Sequence, residues 1–195
     1  MDKIILDLCG GTGSWSKPYK DNGYDVRVIT LPQYDVRTYH PPGNVYGILA
    51  APPCDQLSFA KTTGKPRNIK EAVLILEGCL RIIWECQIKP VTPYAKTTSL
   101  CFWALENPNG LMKRFMGKPC YTFDPYDHGD DYQKKTHLWG WFNNPIKNPV
   151  KSTKPKFDRL LTREIHSKFY GELTRKERRS ITPEGFAKAF YEANK

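Results

Sequence analysis

Residues 4–16, Ile-Ile-Leu-Asp-Leu-Cys-Gly-Gly-Thr-Gly-Ser-Trp-Ser, decide the fold of this chain. An apolar run of strand length changes into a glycine-rich turn, after which the pattern predicts a helix from Ser14 to about Gly23. The glycines at 10, 11 and 13 lack a Cβ, so the backbone can turn sharply and approach a ligand closely. The first N–H groups of the helix point to the same place. This order of elements is typical of an open α/β sheet that binds a ligand at the carboxyl end of its first strand.

The size and composition of the chain narrow its class. Its 195 residues fit one domain, and a hydrophobic content of 39% is enough for a core. We see no apolar run long enough to span a membrane and no room for a secretory signal before the first strand. The formal charge of +10 favours nucleic acid as partner, with a merely soluble basic surface as the alternative.

Cysteine usage bears on metals and on location. None of the six cysteines forms a CxxC pair, so we expect no zinc or other metal site. Most lie in apolar or strand-like stretches, which suits reduced thiols and a cytoplasmic location.

Strands and helices alternate up to residue 105. Besides the first strand at 3–8, apolar stretches predict strands at 24–31, 45–51, 100–105, 121–123 and 137–141. Helical spacing of apolar residues predicts the longest helix over 68–88, after a polar loop at 55–66. We therefore expect a mainly parallel sheet with helices on both faces.

The predicted sheet brings four polar features to one edge. They follow successive strands, and they are the glycine turn, Asp35, Pro53-Cys54 and Glu106-Asn107-Pro108. The carboxyl ends of parallel strands are where open α/β sheets bind their ligands.

The last third of the chain is basic. Prolines and an excess of lysine and arginine mark a segment over 143–180, and Thr182 is a plausible N-cap of a closing helix with Pro183 as its first residue. We expect a catalytic core at 1–142, this basic segment, and a C-terminal helix at 181–195 that packs back on the core.

Two residues at the sheet edge carry reactive groups. Cys54 follows two prolines that fix its backbone, although a small buried hydrophobe is the usual role of a cysteine. Glu106 ends a buried strand, where a carboxylate is costly unless it is functional or makes a structural hydrogen bond. A thiol that adds to an electron-poor ring, while an acid protonates a ring nitrogen, would use both.

In these motifs the chain resembles cytosine-C5 DNA methyltransferases, in particular the small forms often encoded by phages. The similar stretches follow the family's order, and they are Asp7–Ser14 (S-adenosylmethionine motif), Asp35-Val36 (adenine contact), Pro53-Cys54, Glu106-Asn107-Pro108, residues 132–140 (Gln-x-Arg-x-Arg, here with lysine) and residues 179–187 (closing helix).

The resemblance implies a Rossmann-like S-adenosylmethionine-dependent methyltransferase fold and a covalent mechanism. Cys54 would attack C6 of a flipped-out cytosine, Glu106 would protonate or hydrogen-bond N3, and C5 would take a methyl group from S-adenosylmethionine. Lys135 stands where the family has an arginine; it would lower the pKa of the thiol or steady the base, or else contact a phosphate.

The resemblance also assigns binding residues. Those for the cofactor are Asp7, Cys9, Gly10, Gly11, Gly13, Trp15, Thr30, Asp35 and Pro53. Those for DNA, expected to be double-stranded, are Gln133, Lys134, His137, Lys151, Lys154, Lys156 and Arg159.

Three departures from the family have consequences. Thr30 or Leu31 stands where the family carries the acid that binds the cofactor's ribose. Lysine at position 135 lacks the planar fork of arginine. The large target-recognition domain is missing, and the segment 143–180 would supply phosphate contacts, which carry no sequence information. We therefore expect short or relaxed sequence specificity.

Other functions stay open at this point. A transferase for adenine N6 or cytosine N4 would need a polar first and an aromatic last residue where the chain has Ala51-Pro52-Pro53-Cys54. A methyltransferase-like chain could instead bind DNA without catalysis or serve another subunit. An enzyme that uses a modified donor, or acts on RNA or free nucleotides, is a further alternative.

Overall fold

A computed structural model describes residues 3–62, 64–88, 100–149 and 171–195 of the chain. Its six strands are β1 (Ile4–Leu8), β2 (Asp25–Ile29), β3 (Val45–Ala50), β4 (Phe102–Pro108), β5 (Tyr121–Phe123) and β6 (Thr136–Trp141). Its helices are α1 (Lys17–Asp21), α2 (Ile69–Gln87), α3 (Met112–Met116), α4 (Arg175–Ser180) and α5 (Glu184–Asn194), with a 3-10 turn at Pro125–His128.

The strands form one sheet in the order β2-β1-β3-β4-β6-β5. The first four run parallel, while β6 pairs antiparallel with β4 and β5 pairs antiparallel with β6. The neighbours of β1 on its two sides are β2 and β3, so the chain reverses its winding direction there, as in doubly wound folds. The predicted Rossmann-like α/β architecture with a mainly parallel sheet is confirmed.

Each face of the sheet is covered. The helix α2 begins at Asn68, whose side chain accepts a hydrogen bond from Glu71 N, and its apolar stripe from Ala72 to Ile83 packs on one face. The other face carries an aromatic cluster in which Phe186 and Phe190 of α5 contact the ring of Trp15. The expected placement of helices on both faces is therefore confirmed.

Several predicted boundaries are wrong. The first helix and the second strand are shorter than predicted, because the glycine turn continues to Ser16 and β2 pairs with β1 only as far as Ile29. The predicted strand at 100–105 continues to Pro108, because β6 pairs with β4 beyond the point where β3 ends. Pro108 is tolerated as the last residue of that strand.

The start of the closing helix also differs. Pro183 is the N-cap of α5, whereas the backbone N–H of Thr182 donates to Ser14 Oγ at 2.8 Å. Thr182 is therefore drawn to the glycine turn instead of capping the helix. At its other end, α5 is joined to Asn143 by two hydrogen bonds. The side-chain amide of Asn143 donates to Ala193 O, and the side-chain amide of Asn194 donates to Asn143 O.

Candidate active site at the carboxyl edge of the sheet

The glycine turn after β1 has an unusual backbone. Cys9, Gly11 and Gly13 have φ values of 57°, 55° and 69°, in the left-handed region. Only glycine adopts this region freely, so Cys9 holds a strained conformation, as residues at ligand sites often do. Its N–H donates to Ile29 O at 2.8 Å, which fixes the turn to the end of β2.

A buried carboxylate lies beneath this turn. The side chain of Asp7 is fully buried, and Ser16 Oγ donates to its Oδ2 at 2.5 Å. The other oxygen, Oδ1, has no hydrogen-bond partner among the described residues. Burial raises the pKa of Asp7 to about 6. A Cβ on Gly10 would lie 2.4 Å from Asp7 Cγ, so a glycine is required here for packing on this carboxylate.

The other predicted cofactor residues surround the turn in different ways. Thr30 directly follows β2 and is half-buried, and Pro53 is exposed. Asp35 forms a 2.6 Å ion pair with Arg37, which holds the pKa of Asp35 below its usual value. Trp15 differs from the expectation, because its ring is only 2% exposed and packs in the aromatic cluster under α5.

The loop that carries Cys54 is fixed from both sides. Cys54 O accepts hydrogen bonds from Leu57 N and Ser58 N, which make a tight turn. The guanidinium of Arg67 donates to the carbonyls of Gln56, Ser58 and Lys61 at 2.6 to 2.9 Å. The loop therefore presents the thiol from a preformed backbone.

The strand β4 brings Glu106 to the same place. Its neighbour Asn107 is fully buried and donates to Pro52 O at 2.9 Å, which joins β4 to the residues before Cys54. Burial raises the pKa of the Glu106 carboxyl. Burial and the negative charge of Glu106 both raise the pKa of the Cys54 thiol. The structure therefore places the thiol and the carboxyl near enough at this edge for their charges to act on each other.

The cation beside this pair is Lys134, whereas the sequence pointed to Lys135. The positive charge of Lys134 opposes the rise in pKa of both Cys54 and Glu106. Strand register explains the difference. Glu106 of β4 pairs with Leu138 of β6, so the even-numbered residues of β6 point to the same face of the sheet as Glu106. Lys134 continues this even-numbered series just before β6 begins. Lys135 is exposed on the opposite side, where its charge acts on His137.

The DNA residues predicted near β6 have separate positions. His137 is buried between Thr122, at 2.8 Å from Nδ1, and Asn109. Burial lowers the pKa of His137 to about 4, so this neutral, buried ring is not placed to contact a phosphate. Gln133 is half-buried. Lys151, Lys154, Lys156 and Arg159 lie outside the described residues.

The fourth element of the site is α4, which the sequence analysis did not assign to it. The positive charge of Arg179 also opposes the rise in pKa of Cys54. Arg179 O accepts a hydrogen bond from Lys134 Nζ at 2.9 Å, so the end of α4 lies next to the thiol and carboxyl. No local pattern predicts this contact, because the two residues are 45 positions apart.

The turn has features that fit a cofactor with donor groups, such as S-adenosylmethionine. Gly11 and Thr12 are exposed at the carboxyl edge, and Asp7 Oδ1, an acceptor without a partner among the described residues, lies beneath the neighbouring Gly10. Thr30, which directly follows β2 and is half-buried, carries a hydroxyl where the expected acid is absent. The fit is therefore better at the turn than at β2.

Comparisons with known proteins add little to this geometry. No protein-family model and no curated protein sequence matches the chain. Among solved structures it is similar to a crystal structure of a triple mutant of DNMT2 from Spodoptera frugiperda, with a TM-score of 0.39 and 16% identity. The match covers 80% of this chain and 54% of the DNMT2 chain, so this chain spans about half the length of that protein. Within the described ranges, no helix is long and apolar enough to cross a membrane.

Proposed function

We propose that this chain is an S-adenosylmethionine-dependent DNA methyltransferase that modifies C5 of cytosine through a covalent adduct of Cys54. The observation that carries the proposal is the hydrogen bond from Asn107, the neighbour of Glu106 on β4, to Pro52 O, two residues before Cys54, at 2.9 Å. It joins the strand of the carboxyl to the loop of the thiol, where the charges of Glu106 and Cys54 act on each other. The pair lies at the same sheet edge as the strained glycine turn. A nucleophile beside an acid of raised pKa is what addition to a cytosine ring requires.

The chemistry follows from the protonation states of the pair. Burial raises the pKa of Glu106, which favours the protonated form that can donate to N3 of the base. The thiolate of Cys54 forms a bond to C6 of an extruded cytosine, and the electrons of the C5–C6 double bond move toward N3, which takes the proton of Glu106. The carbon C5 is then electron-rich.

Methyl transfer and elimination would use groups at the glycine turn and at the Cys54–Glu106 pair. S-adenosylmethionine supplies a methyl group on a positively charged sulfur, the electrophile that such a carbon requires. The turn at Cys9, Gly11 and Gly13, with Thr30 beside it, would hold this cofactor. On elimination, N3 returns its proton to Glu106, the C5 proton passes to solvent, and the thiolate leaves C6. Lys134 stabilises the negative forms of both acids.

The charge of +10 supports a polymeric substrate. Contacts of Lys151, Lys154, Lys156 and Arg159 with phosphates of double-stranded DNA remain a prediction, as does the relaxed sequence specificity.

Trapping on 5-fluorocytosine tests the proposal, because fluorine at C5 cannot leave as a proton would and the adduct persists. We would incubate the protein and S-adenosylmethionine with duplex DNA in which every cytosine is 5-fluorocytosine, so that all sequence contexts are present. We expect a band of increased mass on a denaturing gel, lost in Cys54→Ala and kept in Cys120→Ala, which removes an exposed thiol. Glu106→Gln should slow its formation by about 10²-fold or more.

The same design separates the alternatives. Tight DNA binding without an adduct would contradict the proposal and favour a non-catalytic DNA-binding protein. An adduct only on 5-fluorocytosine RNA would move the substrate to RNA. Mass spectrometry of nucleosides from treated, unfluorinated DNA would identify the transferred group, and 5-methylcytosine is the expected product.

A further inference from the structure

Two thiols that the proposed mechanism does not use lie next to each other at the glycine turn. Sγ of Cys9, the first residue of the turn, is 4.0 Å from Sγ of Cys79 in the middle of α2, although the two residues are 70 positions apart. Cys79 is fully buried, whereas Cys9 is half-buried at the edge of the same hydrophobic cluster. The sulfurs of a disulfide are about 2.05 Å apart, so a further approach of about 2 Å would bring these two to bonding distance.

The helix α2 holds its side of this contact in place. A Cβ on Gly78 would lie 2.9 Å from Val36 O, so the helix packs directly on the backbone that follows β2. The guanidinium of Arg81 donates to the same carbonyl at 3.1 Å and to Tyr39 O at 2.8 Å. Neighbours on both sides therefore fix the position of Cys79, and closing the contact has to move the turn.

Movement of the turn would alter the surface proposed to hold the cofactor. Cys9 N donates to Ile29 O at 2.8 Å, and this hydrogen bond joins the turn to the end of β2. The next residue, Gly10, packs on the carboxylate of Asp7 so closely that a Cβ would lie 2.4 Å from Cγ. Drawing Cys9 toward α2 would therefore pull Gly10 away from Asp7 and shift the exposed residues that follow.

The difference in burial sets the order of the reaction. The thiolate of the more accessible Cys9 attacks a small-molecule disulfide, such as oxidised glutathione, and forms a mixed disulfide while one glutathione thiolate leaves. Contact with Cys9 and burial raise the pKa of the Cys79 thiol, so it reacts only with a sulfur that is already beside it. Cys79 then loses its proton and attacks Sγ of Cys9, and the second glutathione thiolate leaves. Two protein thiols are oxidised, one disulfide is reduced, and the released thiolates take up the two protons.

We propose that Cys9 and Cys79 are a redox pair, which a small-molecule disulfide converts into a disulfide bond that ties the glycine turn to α2 and weakens cofactor binding. Only the last effect rests on the proposed function, because the bond itself forms without cofactor or DNA. In reducing compartments such disulfides are usually transient and serve catalysis or redox sensing.

The first test is oxidation of the folded full chain by oxidised glutathione at pH 8, followed by peptide mass spectrometry without reduction. We expect the peptides of Cys9 and Cys79 to be joined as the main internal disulfide, while the exposed Cys101 and Cys120 carry glutathione. Dithiothreitol should remove the link. Glutathione on the exposed thiols without the linked peptides would overturn the inference.

Two variants on α2 separate the pair from a reaction of Cys9 alone. In Cys79→Ala, glutathione should remain on Cys9, because no second thiol displaces it; Cys79→Val takes its place if the alanine variant does not fold. Cys86→Ala is the matched control, since it removes another buried thiol of the same helix and should leave the link unchanged. Equal amounts of the glutathione adduct of Cys9 in the wild type and in Cys79→Ala would also overturn the inference.

The second test is calorimetric titration of the reduced and the linked protein with S-adenosylmethionine. The link should raise the Kd about tenfold or more, as expected when the turn loses one or two hydrogen bonds to the ligand, and dithiothreitol should restore it. An unchanged Kd would overturn the effect on the cofactor site. The peptide result is read separately: a link in a protein whose reduced form binds no S-adenosylmethionine would overturn the proposed cofactor and its regulation, while the redox pair would stand.

Discussion

The fully buried carboxylate of Asp7 predicts a pH-dependent cost to stability, which Asp7→Asn should remove. In the folded chain its pKa is about 6, whereas its ordinary value is 3.8. A group whose pKa is raised on folding contributes its stabilisation below the unfolded pKa and loses it as the pH rises through the folded pKa. The wild type should therefore lose stability between about pH 4 and pH 6 through this group.

The shift sets the size of the effect. A difference of about 2 units at about 1.4 kcal/mol each gives about 3 kcal/mol between pH 4 and pH 8. Asparagine resembles the protonated acid: its oxygen can accept from Ser16 Oγ, and its amide takes the place of Oδ1, which has no partner among the described residues. We expect Asp7→Asn to gain about 3 kcal/mol over the wild type at pH 8, relative to its difference at pH 4.

Urea unfolding of both proteins at pH 4, 6 and 8 measures this difference. Comparing the variant with the wild type at each pH cancels the titration of Glu106 and Asp130, whose pKa values burial also raises. The control is Asp21→Asn, in an exposed ion pair with Lys17, which should change stability by less than about 1 kcal/mol at pH 8. If the difference between Asp7→Asn and the wild type were the same at pH 4 and pH 8, the reasoning would be refuted.

Two further substitutions test the backbone around Cys54. Gly110→Ala should lower the free energy of unfolding by about 1 to 3 kcal/mol, because its Cβ would lie 2.2 Å from Leu57 O; Gly43→Ala, with nothing within 4 Å, should be near neutral in the same urea titration. Arg67→Lys removes the fork that spans three loop carbonyls, so amide exchange in residues 54–62 should accelerate about tenfold by mass spectrometry. Lys65→Met, at an exposed lysine, should leave that exchange unchanged, and equal exchange in Arg67→Lys would show that the guanidinium does not hold the loop.

Much of the sheet edge could be predicted from the sequence, because it depends on local patterns. Apolar runs locate the strands, and the carboxyl ends of parallel strands meet at one edge. Placing Cys54 near Glu106 needs nothing more than these two facts.

The cation of the site could not be predicted in the same way. The choice between Lys134 and Lys135 depends on strand parity, and a shift of one residue moves a side chain to the other face. The pairing of Glu106 with Leu138 determines which lysine lies on the face of Glu106, and this register is known only from the three-dimensional structure. Once the pairing is known, extending the alternation two residues before the start of β6 places Lys134 on the face of Glu106.

Contacts between distant parts of the chain explain the other differences. Trp15 is adjacent to the glycine turn in sequence, yet the rings of Phe186 and Phe190 enclose it. Gly10 resembles a ligand-binding glycine, yet the carboxylate of Asp7 occupies the space where its Cβ would lie. The partners of Trp15 come from α5 and no local motif predicts them, whereas Gly10 contacts a residue of its own motif, where the pattern alone does not say how the side chain of Asp7 is turned.

The hydrogen bond between Ser14 and Thr182 has a consequence for synthesis of the protein. The two residues are 168 positions apart, and the aromatic rings of α5 enter the cluster just after Thr182. At about 5 to 20 residues per second, a ribosome needs on the order of ten to thirty seconds to make the intervening chain. Until then the rings that α5 covers, Tyr19 first and Phe102 once it has been made, lack the helix that packs on them. The nascent chain therefore exposes an aromatic surface until α5 has emerged. The glycine turn gains its hydrogen bond from Thr182 only at that stage.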